Sequence, residues 1–245
     1  MSYTGRNIEI VTLDTARYLV CANTASTGIG INEEDSTIVF PYILGRIKAR
    51  TVLGELFAVG AELSMLTITI FADQNANGEE IVRGIRDELS TTSDADLPIQ
   101  TNYLEEEGNR RTGLVITALG MAYKNKIKVA ASQPNDYIYA LGKPKRTSEI
   151  NSLDDREIAK LYCISELAAV GSVHEIMLLE DGSIRDALEC ISTNTGLNHR
   201  IEQTENLDLN RVGNAGTCIV FTCAHRVKNS DYDGIGLTFI GRMES

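Results

Sequence analysis

The sequence predicts an α+β protein built as two lobes. Three observations carry that reading. Apolar, β-branched runs alternate with amphipathic helical stretches through the first 123 residues. A similar alternation resumes after residue 153. Between them lies the polar stretch "GKPKRTSEINSLDDRE" (142–157), rich in turn-forming residues. The expected division is 1–142 and 143–245.

The elements follow in order. "NIEIVTL" (7–13) and "YLVCA" (18–22) read as strands joined by the turn "DTAR". "ANTASTGIG" (22–30) reads as a loop of small residues and glycines, and "STIVF" (36–40) as a further strand. The helix over 42–61 has Ile43, Ile47, Val52, Leu56 and Val59 on one side, with Pro41 before it and Gly60 as a stop. "LSMLTITIFA" (63–72) is a nearly unbroken apolar strand, which predicts burial on both faces. Ile81, Ile85 and Leu89 make the stripe of a second helix over 77–92. "RTGLVITALGMAY" (111–123) is a strand. In the second half, helices are expected at 154–171 and 183–196, the latter with Ser183 as N-cap and Gly196 as its stop. Strands are expected at 173–179, 199–205, 216–224 and 235–241.

Composition narrows the function classes. The chain has 245 residues and a net charge of −11. No basic patch stands out, which argues against binding a nucleic-acid backbone. No apolar run is long enough for a membrane span, and "MSYTGRNIE" has no signal-peptide pattern, so a cytoplasmic protein is expected. The five cysteines and three histidines show neither zinc spacing nor a nucleophile–base signature, and buried free thiols are expected.

Four places could carry chemistry. "STGIG" (26–30) could let a backbone approach a phosphate, although a lone GxG is also an ordinary turn. Asp35 precedes a strand. Glu55 lies beside the apolar stripe of the first helix, so it must be paired, cation-bound or snorkelled to the edge. In "TNYLEEEGNRRTG" (101–113), Glu105, Glu106 or Glu107 could hold a cation while Arg110 or Arg111 meets a phosphate. The alternative is a solvated, salt-bridged loop. "LLEDGS" (178–183) ends at a helix start, where Gly182 lies in an anion-accessible turn or an ordinary cap.

The order of these features resembles the AIR synthase-like ATP-binding superfamily. The resemblance rests on "DSTIVFPYILGRIKARTVLGELFAVGAELSMLTITI" (35–70). Within that superfamily the chain is most similar to α-ribazole kinase-like proteins, through "GIG", "NGEEIVRGIRDEL", "TGLVITALG", "VHEIMLLEDGSI" and "NAGTCIVF". The resemblance implies an N-terminal ATP-binding lobe whose strands join a second subunit's in a dimeric β-barrel with helices outside, and a C-terminal α+β lobe. It implies ATP and Mg²⁺ as cofactors, a homodimer, and phosphoryl transfer to a small nucleoside-like substrate. Carried onto this chain, Asp35 and Glu55 would be catalytic metal ligands, with Glu105 and Glu106 in the loop that supplies further acids. Gly28, Gly30, Arg110 and Gly182 would border the nucleotide. The sequence departs from the pattern where relatives have an Asp in the small-residue loop. Asn23 or Thr24 stands there. With that carboxylate gone, the alternative is a nucleotide- or ligand-binding protein whose site is not catalytic.

Overall fold

A computed structural model describes residues 3–71, 77–92, 97–104, 110–150, 152–153, 155–202, 207–228, 232 and 234–245. The architecture is mixed α+β, as expected. Two five-stranded sheets account for most of the strands. The first contains β1 (Ile8–Thr12), β2 (Arg17–Thr27), β5 (Glu62–Phe71), β6 (Ile99–Tyr103) and β7 (Gly113–Tyr123), in the order β1-β2-β7-β5-β6. All its pairs are antiparallel except β5 with β6. The second contains β8 (Tyr137–Gly142), β9 (Val173–Leu178), β10 (Asn198–Ile201), β11 (Cys218–Cys223) and β12 (Leu237–Glu244), in the antiparallel order β10-β12-β8-β11-β9. Two short strands, β3 (Ile29–Gly30) and β4 (Thr37–Ile38), pair in parallel beside the first sheet.

Helix α1 (Pro41–Ala58) joins the two halves. It packs on β2, β7 and β5, and also on β9 and on α3 (Leu161–Ala169). Its residues are therefore buried nearly all round rather than along the one stripe that its sequence suggests. Close approach is built in. A side chain at Gly54 would collide with Leu178 of β9, and one at Gly45 with the Ile81 carbonyl. Ile81 belongs to α2 (Glu79–Leu89), which lies against α1. The pair is locked by the buried carboxylate of Glu88, 2.8 Å from Arg50 Nε and 2.9 Å from Arg46 Nη2. The last helix, α4 (Ile184–Thr195), is bounded as its sequence predicts. Ser183 accepts from the Asp186 amide, and Gly196 closes the helix in a left-handed conformation.

Three elements differ from expectation. Residues 22–27 are strand, not loop. β2 continues to Thr27, paired in register with β7, and the chain first turns at Gly28, where φ is +70°. β5 is buried on one face only, because Met65, Thr67 and Thr69 alternate with fully buried Leu66, Ile68 and Ile70. α3 begins at Leu161, well inside the expected span.

Among the described residues, the face of the first sheet opposite α1 is open. Val11, Leu19, Met121 and Phe71 are exposed on it. No helix among the described residues is long and apolar enough to cross a membrane.

Candidate functional site

The glycine turn is a tight, preformed unit. Gly28 donates its N–H to the Thr112 carbonyl at 2.8 Å, and its own carbonyl accepts from the Ser36 amide and hydroxyl. Asp35 closes this unit. Its Oδ1 accepts from the Thr112 amide at 2.8 Å, and its Oδ2 accepts from the Thr112 hydroxyl at 2.7 Å and the Asn32 amide at 2.8 Å. Gly30 is required there, because a Cβ would strike both Thr112 and Asp35. The turn is thus fastened to the start of β7, 77 residues away.

Arg110 and Arg111 lie beside the acidic turn 32–35. Arg110 Nη1 is 3.4 Å from Glu33 and Arg111 Nε is 3.6 Å from Glu34, with all four side chains exposed. Such pairs are weak and give way easily to a competing phosphate. A groove of about 610 Å³ adjoins them, lined by Ser26, Thr27, Phe71, Arg111, Gly113 and Val115 among others. Asn23 and Thr24 point to opposite faces of β2. Asn23 is on the open face, donating to Thr117 Oγ1 at 2.8 Å; Thr24 is buried. Their side chains therefore do not serve one ligand together.

Glu55 sits in a different environment. It is 2% exposed, in the middle of α1. Its partner is Arg6, whose Nη1 is 3.5 Å from Oε2. Arg6 Nη2 also donates to the Ile176 carbonyl in β9, and its Nε is buried with no partner among the described residues. Burial raises the Glu55 pKa to about 7. Arg6 opposes that shift and nearby Glu180 adds to it. Glu180 follows β9; burial raises its pKa too, while the Asn7 amide, donating at 2.5 Å, and nearby Lys48 hold it down. Asp181, next in sequence, has φ of +60°, and Gly182 is bridged to Gly213. The segment Tyr3–Asn7 therefore straps the second half to α1. Thr4 and Asn194 of α4 exchange two further hydrogen bonds, of 3.0 and 3.1 Å.

The structure thus brings the predicted residues together in two groups: Gly28, Gly30, Asp35 and Arg110 around one turn, and Glu55 beside the Glu180–Gly182 loop. Glu105 and Glu106 lie outside the described residues. Arg6, Asn7, Lys48 and Glu180 were not singled out from sequence. Only Glu180 carried a signal, as an acid directly after an apolar strand. The described acids fit a divalent cation poorly. Asp35 is occupied by three donors and Glu55 faces a guanidinium. No group of three or more His, Cys, Asp or Glu side chains converges among the described residues.

No protein-family model and no curated protein matches the sequence. Solved structures do match over nearly the whole chain. Thiamine-monophosphate kinase of Aquifex aeolicus, in complex with AMPPCP and TMP, aligns with a TM-score of 0.69 at 13% identity, covering 100% of this chain and 86% of that one. The same enzyme of Stenotrophomonas maltophilia aligns at 0.66 and 15%, covering 97% and 89%. PurL of Thermotoga maritima, complexed with ADP, aligns at 0.69 and 11%, covering 99% of this chain and 42% of that one. The fold is therefore the AIR synthase-like (PurM-like) fold.

Proposed function

We propose that this chain is an ATP-dependent phosphotransferase acting on a small nucleoside-like metabolite. The observation that carries the reading is the alignment, end to end, with a kinase solved around an ATP analogue. The site adds support. The turn Gly28–Gly30 is held by Asp35 and Thr112, with Arg110 and Arg111 at its rim and a groove beside it. Phosphoryl transfer asks chiefly for positioning and charge neutralisation, which backbone amides and arginines supply. In this reading Gly28 and Gly30 border the phosphates, Arg110 exchanges Glu33 for a phosphate oxygen, and Gly182 marks the second-half loop that faces the nucleotide. Asp35 acts through the turn it holds. An α-ribazole-like acceptor is the finer reading, supported by the sequence resemblance alone. The described acids do not carry the Mg²⁺ part of that resemblance, so the proposal rests on ATP.

The proposed nucleotide half is 1–142 and the acceptor half 143–245, with β8 belonging by its pairing to the second sheet. A homodimer is part of the proposal, in which a second copy covers exposed Val11, Leu19 and Met121 to complete a barrel. One observation favours a second reading, a nucleotide binder without turnover. The cation beside Glu55 is the chain's own Arg6. Calorimetry with ATP tests what the two readings share: saturable binding is expected, and no heat of binding removes both.

A further inference from the structure

We propose a second ligand site, for a small molecule bearing a phosphate or carboxylate group, in the cleft between residues 124–136, the C-terminal end of α3 and the start of β9. This cavity measures about 440 Å³, a size suited to a metabolite. Its polar lining is Asn125, Lys126, Lys128, Gln133 and His174.

Lys128 is the first reason. Its side chain is largely buried, and its Nζ donates to the Val170 carbonyl at 2.9 Å and to the Val173 carbonyl. Among the described residues no carboxylate lies within ion-pair distance of it. Burial alone pushes its pKa down, and no neighbouring charge restores it. Buried charges are ordinarily paired. The Val170 carbonyl at the end of α3 and the Val173 carbonyl of β9 offer partial compensation only. Among the described residues a full countercharge is missing on the wall of an open cleft.

His174 is the second. Its Nδ1 is 2.8 Å from Asp136 Oδ2, and Asp136 is buried and fixed by the Gln133 amide at 2.7 Å. Nδ1–H therefore donates to Asp136, and the ring presents Nε2 elsewhere. Among the described residues nothing pairs with Nε2. Nε2 is left as the ring's polar atom open to a ligand.

Beside Lys126 and Lys128 stand two carboxylates, Asp136 and Glu175, and both are held by donors of the chain itself. Asp136 is spent on His174. Glu175, wholly buried, accepts from the amides of Ala130, Ala131 and Ser132 and from the Ser132 hydroxyl. Those four bonds also fix the loop that forms the wall, so the site is preformed. Lys126, whose Nζ lies 5.6 Å from the Tyr123 ring, stands at the rim. Glu62 lies across an adjoining hollow and limits how far an anionic ligand extends that way.

The test is calorimetric titration of the whole chain with inorganic phosphate, ribose 5-phosphate and citrate at matched ionic strength, with and without saturating ATP. Saturable binding of phosphate compounds or of citrate is expected, and the stronger arm identifies the group recognised. His174→Gln should weaken it roughly tenfold, as expected for a lost bond to a charged group. Lys128→Met should abolish it. If that variant does not fold, Lys126→Ala with His174→Gln replaces it, and together they should weaken binding beyond His174→Gln alone. Unchanged affinity under saturating ATP is expected, and competition would overturn a separate site. No saturable binding by any of the three, or binding untouched by the variants, would overturn the proposal.

Discussion

Asp35 and Glu55 are both carboxylates that the sequence nominates for the same task, and the fold treats them in opposite ways. Asp35 has three short donors, two of them backbone amides, at a half-buried turn. Glu55 has one guanidinium at 3.5 Å inside a helix buried on nearly every side. The first carboxylate is satisfied locally and organises a loop. The second is short of donors, and burial outweighs its ion pair enough to lift its pKa to about 7. The lesson is that sequence position names an acid, while its supply of donors decides what the acid can do.

The largest effect expected comes from removing the cation at Glu55. Arg6→Ala leaves a buried carboxylate unpaired, and at pH 8 should cost about 3–5 kcal/mol in urea unfolding. The loss should shrink toward pH 5, where Glu55 takes up a proton. A loss below about 1 kcal/mol at pH 8 would mean that Glu55 is not buried against Arg6.

The next effect is a pH slope. The folded state holds the Glu55 proton up to about pH 7, whereas the unfolded chain releases it near 4.5. Its contribution is therefore complete below pH 4.5 and lost as pH rises through 7, by an amount of about 3 kcal/mol. Glu55→Gln should remove that slope. Glu180 shifts in the same direction but remains in the variant, so the difference between the two unfolding curves reads Glu55. Parallel curves from pH 5 to 8 would contradict the assignment.

Asp35→Asn should do less. It removes the charge and turns one acceptor into a donor facing Thr112 or Asn32, a cost of about 1.5–3 kcal/mol. Nucleotide affinity should fall along with the order of the turn, visible as lost amide protection at Gly28 and Thr112. Lost affinity with protection intact would instead make Asp35 a direct ligand.

What was legible in the sequence was local. Ser183 and Gly196 bound α4 because capping depends on residues within one turn of it. The strands β1, β5, β7, β9 and β11 announced themselves by β-branched runs. Three strands, β3, β6 and β8, went unread, although "YIYAL" (137–141) carried the signal. The continuation of β2 to Thr27 could not be read, since it depends on β7, some 90 residues on. The same distance problem hid Arg6. A lone arginine in a polar N-terminal stretch says nothing until the fold carries it to Glu55.

The phosphotransferase reading is tested most directly by ADP release from ATP across a panel of ribonucleosides, with Mg²⁺ present. The account predicts release that depends on at least one riboside and matches the phosphorylated product formed. ATP bound with no ADP released by any riboside would contradict it and leave a nucleotide-binding protein on this fold.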